Sequence, residues 1–232
     1  MRWHRVRGGR GSLNEPVANP LRILVADDHE LVRQGMRAIL TREPEWTVCG
    51  EATTGREALS KTLALKPDVL ILDIALPELN GIEVTRQVRR SMSVPILIVT
   101  MHASDQVAQE AFDAGANGYM LKTEAGRTLA EATRAILSGG QFISDQVRVA
   151  AGAASAGGPV QQVRQRSTLL TSREREVLQL LAEGMANKSI AASLGITTKT
   201  AETHRARIMA KLGLHSISEL VRYAIRNGII EP

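Results

Sequence analysis

Four short apolar runs, each ending on a polar residue, constrain this chain more than any other feature. Arg22-Ile23-Leu24-Val25-Ala26 stops at Asp27-Asp28, Asp68-Val69-Leu70-Ile71-Leu72 at Asp73, Pro95-Ile96-Leu97-Ile98-Val99 at Thr100, and Gly118-Tyr119-Met120-Leu121 at Lys122. A further run spans Thr47 to Ala52. Continuous rather than alternating apolarity marks strands covered on both faces, which is the signature of a parallel sheet between helical layers. Helical stretches lie between the runs. One has Leu31, Met36, Ile39 and Leu40 toward one side; the others cover Gly55–Leu65, Gly81–Arg90, Ser104–Ala114 with Ser104 as N-cap, and about Glu124 to Leu137, closed by Gly139-Gly140. Five strands alternating with five helices predict an α/β, doubly wound, five-stranded parallel sheet over residues 21–140.

The pattern then changes. Residues 150–166 are rich in Ala, Gly, Gln and Arg without apolar periodicity, so a flexible linker is expected over 141–166. From 167 to 232 the periodicity is purely helical. Thr171-Ser172-Arg173-Glu174 has the form of a capping box. The first helix ends at Gly184, Asn187 caps a short helix to Leu194, and Gly195-Ile196 makes a turn. Thr197 or Thr198 caps a third helix to Leu212, and Ser216 opens a fourth that ends near Asn227-Gly228.

The polar ends of the strands carry the chemistry. In an open parallel α/β sheet, ligands bind at the carboxyl edge. Asp27, Asp28, Asp73, Thr100 and Lys122 would therefore converge there. Three carboxylates together require a cation, and hard oxygen donors with room for phosphate oxygens suit Mg²⁺. The metal would offset the repulsion and let Asp73 attack phosphorus. Lys122 supplies a second positive charge for the transferring group, and Thr100 a hydroxyl donor. Taken singly, each is an ordinary turn, cap or surface residue; the information lies in their order on separate strands.

Charge and cysteine content narrow the setting. Residues 21–145 hold 13 Lys and Arg against 17 Asp and Glu, whereas residues 167–232 hold nine against six. An acidic module followed by a basic one suggests an anionic partner for the second. The single cysteine, Cys49, forbids an internal disulfide and reads as a core thiol in a reducing, cytoplasmic compartment. No apolar stretch approaches the ~20 residues of a membrane span. Residues 1–20 carry four Arg but no apolar segment of a secretory signal, and are expected to be a disordered extension.

The segments ILVADDHELVRQGM, DVLILDIALPELNGIEV, ILIVTMHAS and AGANGYMLK resemble the receiver domain of bacterial two-component response regulators, a flavodoxin-like fold. The resemblance implies that Asp73 accepts a phosphoryl group from a sensor histidine kinase. It also implies that Asp28 and Asp73 bind Mg²⁺ directly, Asp27 through water, and the Ala75 carbonyl completes the set. Thr100 and Tyr119 match the switch pair, Lys122 the family's lysine, and Pro77 and Gly81 the loop after the phosphoacceptor. Two departures stand out. Thr123 occupies a place where many receivers have proline, and Ala75 offers no polar side chain to position a hydrolytic water, so slow loss of the phosphoryl group is expected.

In the second module, a short helix, a Gly-containing turn and a longer helix form a helix-turn-helix. On the third helix Ala201, Ile208 and Leu212 face one side, while Lys199, Glu202, Thr203, Ala206 and Arg207 face the other, suited to a major groove. Arg205 and Lys211 are expected at phosphate, with Lys188 and Thr200 completing the contact set. The text from Leu170 to Gly213, LTSREREVLQLLAEGMANKSIAASLGITTKTAETHRARIMAKLG, resembles the LuxR-type helix-turn-helix of NarL/FixJ regulators, an all-α four-helix domain. It implies double-stranded DNA as partner and a homodimer formed on phosphorylation, through the fourth helix with Val221 and Ala224. It also implies contact with RNA polymerase, a receiver that masks the DNA-binding domain until phosphorylated, and no turnover activity of its own. Two other readings remain open at this point. A constitutive DNA binder could use the receiver only for assembly. An aspartyl-phosphate phosphohydrolase would carry a second carboxylate two residues after the nucleophile, where this chain has Ala75.

Overall fold

The computed structural model describes residues 20–150 and 170–230. The expected extension over 1–20 lies outside these apart from Pro20, and so does most of the expected linker. The first domain follows the order β1 (Leu21–Ala26), α1 (Glu30–Leu40), β2 (Trp46–Ala52), α2 (Gly55–Leu65), β3 (Val69–Leu72), α3 (Gly81–Arg89), β4 (Ile96–Thr100), α4 (Asp105–Asp113), β5 (Gly118–Leu121), a 3₁₀ turn at Lys122–Glu124, α5 (Ala125–Leu137), β6 (Phe142–Ile143) and α6 (Asp145–Ala150). The sheet is parallel throughout, in the order β2-β1-β3-β4-β5-β6. Order reverses beside β1, and the crevice at that point opens at the strands' carboxyl ends.

Strand residues alternate between two cores, because successive side chains point to opposite faces. Leu24, Ala26, Leu70, Leu72, Ile96, Ile98 and Tyr119 pack against α2, α3 and α4. Ile23, Val25, Val69, Ile71, Leu97, Val99 and Met120 pack against α1 and α5. With both faces covered, the apolar runs are continuous.

Four local expectations are corrected. The sheet has six strands, not five: Phe142 and Ile143 pair with Gly118 and Tyr119. Gly139, at φ 81°, turns the chain back after α5. Residues 141–150 are therefore ordered structure rather than linker, and Val147 of α6 is buried in the α2–α4 core. Leu31 does not join the inner face of α1; it is 82% exposed, while Met36 and Leu40 are buried. Ser104 does occupy the N-cap position of α4, but its side chain makes no capping hydrogen bond.

The second domain comprises α7 (Ser172–Ala182), α8 (Asn187–Leu194), α9 (Thr198–Leu212) and α10 (Ile217–Arg226) around Val177, Leu178, Leu180, Ile190, Ala201, Ile208, Leu220 and Ala224. The capping box forms: Thr171 accepts from the Glu174 amide, and the Glu174 carboxylate accepts from the Thr171 amide at 2.8 Å. Thr197, not Thr198, caps α9, and Ser216 caps α10. Asn187 is the first residue of α8 rather than its cap, which is Ala186. None of the described helices is long and apolar enough to cross a membrane.

Candidate functional site: an aspartate–lysine crevice and a paired helical domain

The strand ends meet as their spacing requires. The Asp27 amide donates to Ala52 and the Asp73 amide to Ala26, which places the two aspartates side by side at the ends of β1 and β3. Both are fully buried. Lys122, just beyond β5, reaches across to them: its Nζ lies 2.7 Å from Asp73 Oδ2 and 2.9 Å from Asp27 Oδ2. Asp28 is exposed on the rim, where His29 Nδ1 lies 2.7 Å from its carboxylate. The His29 amide donates to Asp27 Oδ1. The Ile74 amide donates to Asp73 Oδ1 at 2.7 Å.

The electrostatics follow from this packing. Burial pushes the Asp73 carboxyl up to about 6; the adjacent Lys122 ammonium opposes that rise, and Asp27 adds to it. Burial alone would lower Lys122, but the charges of Asp73 and Asp27 outweigh it and hold the ammonium above its ordinary value. One lysine thus faces two buried carboxylates and a third on the rim. That deficit of positive charge, together with an all-oxygen donor set, fits a hard divalent cation. Ala75 is buried directly after Ile74, at the mouth of the same loop. Asp27, Asp28 and His29 also bring one ligand atom each within 4.8 Å of one another.

Thr100 and Tyr119 sit behind the crevice, both fully buried. Between them lies His102, absent from the sequence reading. Its amide donates to Thr100 Oγ1 at 3.3 Å, and its carbonyl accepts from the Tyr119 hydroxyl at 2.8 Å. Tyr119 already points inward in this structure, and burial followed by the Asp73 charge raises its hydroxyl well above the ordinary value. Described peptide bonds are all trans, including that between Lys122 and Thr123.

On the helical domain, Lys188, Lys199, Thr200, Glu202, Thr203, Ala206 and Arg207 are exposed, and Arg205 is partly so. Lys199 and Glu202 lie on successive turns of α9, 3.8 Å apart, and the lysine side chain is 88% exposed. Lys211 is exposed as well, and it also makes a contact within the domain. Its Nζ is 2.7 Å from Glu174, where it ties α9 to the start of α7. Ala224 is fully buried in the domain core and presents nothing to a second copy; Val221 is half-buried. The receiver does not cover the exposed face of α9 either. It packs on α7 and on the end of α10. Gln87 donates to Glu176 at 3.0 Å, Arg90 to Ser172 at 3.3 Å, and Arg175 pairs with Glu83 at 3.6 Å.

Comparison with known proteins defines the class. Residues 23–134 match the model of the response regulator receiver domain, and residues 168–224 that of the bacterial regulatory proteins of the luxR family. The response regulator protein VraR of Staphylococcus aureus (strain NCTC 8325 / PS 47) is 32% identical over 212 residues, covering 91% of this chain and 99% of that one. Among solved structures, RcsB of Salmonella typhimurium is 27% identical with a TM-score of 0.54, covering 88% of this chain and 98% of the other. An RcsB–DNA complex, at 27% identity, gives a TM-score of 0.56 over the same shares. The chain belongs to the two-component response regulators that join a receiver to a LuxR-type helix-turn-helix.

Proposed function

We propose that Asp73 accepts a phosphoryl group from the phosphohistidine of a sensor kinase, and that the modification governs dimerisation and binding to double-stranded DNA, regulating transcription. The observation that carries this reading is the Asp27–Lys122–Asp73 contact at the switch point of the sheet. An Asp73 oxygen attacks phosphorus, the phosphorus–nitrogen bond breaks, and the kinase histidine leaves. Lys122 supplies a fixed positive charge beside the equatorial phosphoryl oxygens. Asp27, Asp28, Asp73 and the Ala75 carbonyl would hold Mg²⁺, which supplies the remaining charge neutralisation. Thr100 takes a new phosphoryl oxygen as acceptor for its hydroxyl. With Tyr119 already inward, the reporter of this movement is the shared contact of Thr100 and Tyr119 to His102.

Incubation with Mg²⁺ and a small acyl-phosphate donor, followed by intact mass, is expected to show a single phosphate gain in the wild type and none in Asp73→Asn. Gain at an unchanged level in the variant would sink the assignment. The slow hydrolysis inferred from Ala75 predicts that the adduct outlasts several minutes; loss within seconds would contradict it.

The second half of the proposal is DNA readout by the exposed face of α9. It is supported by the RcsB–DNA complex among the structural relatives. Arg207→Ala is expected to weaken DNA binding by about 1–3 kcal/mol, and removing a phosphate-contacting cation such as Lys188 to flatten the salt dependence by about one charge. Titrations at two salt concentrations check both. A solvent-exposed helix without a DNA role would leave the affinity of both variants at the wild-type value.

A further inference from the structure

The exposed face of α9 holds one residue that no contact inside the protein accounts for. Glu202 is the only acidic residue of α9, a helix that also carries Lys199, Arg205, Arg207 and Lys211. Every other described carboxylate of the helical domain accepts a hydrogen bond within the protein. Glu174 accepts from the Thr171 amide, Glu176 from Arg173, Glu183 from Gln179 and from the Glu78 amide, and Glu219 from the His215 amide. Among the described residues Glu202 has only Lys199, 3.8 Å away, whose side chain is 88% exposed.

Two ordinary roles for such a carboxylate fail on the geometry. It does not serve the helix dipole. Glu202 is the fifth residue of α9, the first turn holds no acidic residue, and the benefit of a negative charge fades beyond that turn. The pair with Lys199 does not account for it either. An exposed pair with the lysine on the N-terminal side has the weaker orientation, and such pairs contribute little.

Its position fits a different task. Glu202 lies between Lys199, one turn before it, and Ala206, one turn after, all three exposed, while Ala201 and Ile208 are buried in the domain core. The hydroxyls nearby are already engaged: Thr203 donates to the Lys199 carbonyl at 2.8 Å, and Thr200 is bonded to Thr197 at 2.9 Å. The strip therefore offers one ammonium, one carboxylate and one methyl to whatever lies against it. Toward DNA the carboxylate is repelled by every phosphate, and it can only accept hydrogen bonds. In the major groove guanine and thymine present acceptors, and adenine sets its N6 donor beside the N7 acceptor; cytosine presents the N4 donor alone.

We infer that Glu202 is a specificity-determining residue that accepts a hydrogen bond from a cytosine N4 amino group, so that the DNA target carries a fixed C·G pair opposite it. The inference rests on α9 entering a major groove, as proposed above. The carboxylate works by exclusion as much as by attraction: guanine or thymine at that position brings an acceptor against it, in surroundings already dense with phosphate charge. A base contact of this kind discriminates by about five- to a hundredfold.

The test uses the full chain, treated with Mg²⁺ and a small acyl-phosphate donor, on a pool of DNA duplexes with a randomised central segment. Sequences retained by wild type, Glu202→Gln and Glu202→Ala are compared, and affinities are then measured on duplexes that differ at one base pair. Wild type is expected to fix a cytosine at one position of the site. Glu202→Gln should move the preference at that position alone to adenine, whose N6 donor and N7 acceptor match a carboxamide. Glu202→Ala should reduce discrimination there to within about twofold, weakening binding to the cytosine duplex and tightening it to the others, because both the contact and the repelling charge are gone. The salt dependence should keep the wild-type slope, since no phosphate contact is lost. A change in affinity that is equal for all four bases overturns the inference, because Glu202 would then act as a charge alone. So does a wild-type preference that neither substitution alters. Failure of every chain to retain any sequence would instead overturn DNA readout by α9, and the inference with it.

Discussion

Lys122→Met is expected to destabilise the metal-free receiver by about 3–5 kcal/mol at pH 7.5, the range found when one partner of a buried charge set is removed. Asp27 and Asp73 are both fully buried, and Lys122 lies within 2.9 Å of each. Without the ammonium, two carboxylates share a dry crevice. The pH dependence fixes the sign. Asp73 titrates at about 6 when folded, against an ordinary value of 3.8. A carboxyl raised on folding contributes stability that is complete below its unfolded value and is lost as pH rises through the folded one. Loss of Lys122, which opposes the rise, moves the folded value higher still. The gap between variant and wild type should therefore be small near pH 4, and grow through pH 6 and above. Urea unfolding of both proteins at pH 5 and pH 7.5 measures it. Mg²⁺ should recover part of the loss at pH 7.5 by restoring positive charge. An equal deficit at both pH values would mean that Lys122 contributes packing rather than charge.

The second large effect is steric. Gly81→Ala is expected to cost about 3 kcal/mol and to displace Asp73. A Cβ at Gly81 would lie 2.1 Å from the Asp73 carbonyl oxygen and 3.0 Å from the Ile74 Cα. Those are backbone atoms, so no side chain can swing aside, and α3 must move off β3. The φ of Gly81 is not positive; the requirement is space, not conformation. Gly126, in α5, provides the opposite case, with nothing within 4 Å of its added Cβ. Gly126→Ala should stabilise by up to about 1 kcal/mol through helix propensity. Thermal melts of the two variants should move in opposite directions. A Gly81→Ala protein as stable as wild type would show that the loop and α3 are loosely joined.

Much of this architecture was legible because burial on both faces leaves a continuous apolar run, and the carboxyl end of each run names the residue at that edge of the sheet. Asp27, Asp73, Thr100 and Lys122 could be placed that way without any contact being known. The sixth strand could not, since Phe142–Ile143 is too short to carry a period. Leu31 was misplaced because helical spacing gives a face, and the edge of that face can be open to solvent. Lys211 and Ala224 show the converse limit. A basic residue at an exposed spacing also pairs with Glu174 of its own domain, and a small residue on α10 lies in its own core. His102 and Gln179 had weaker signals. Gln179 had one that could be read: a polar residue in the run Val177-Leu178-Gln179-Leu180-Leu181 must find partners if its face is buried. Only the fold shows that the partners lie on the other domain.

The masking expected of the receiver also takes a different form. The exposed face of α9 stays open, while α7 and the end of α10 are engaged. The contacts of the receiver thus leave the side chains of α9 that face solvent uncovered.

The most direct measurement is DNA affinity of one full-chain preparation before and after acyl-phosphate treatment with Mg²⁺, with Asp73→Asn treated in parallel and phosphate content read by intact mass. Tighter binding that tracks phosphate content in the wild type and is absent in Asp73→Asn is the predicted result. Equal affinity of phosphorylated and unmodified wild type would contradict the account and favour a phosphorylation-independent DNA binder that uses its receiver for assembly alone.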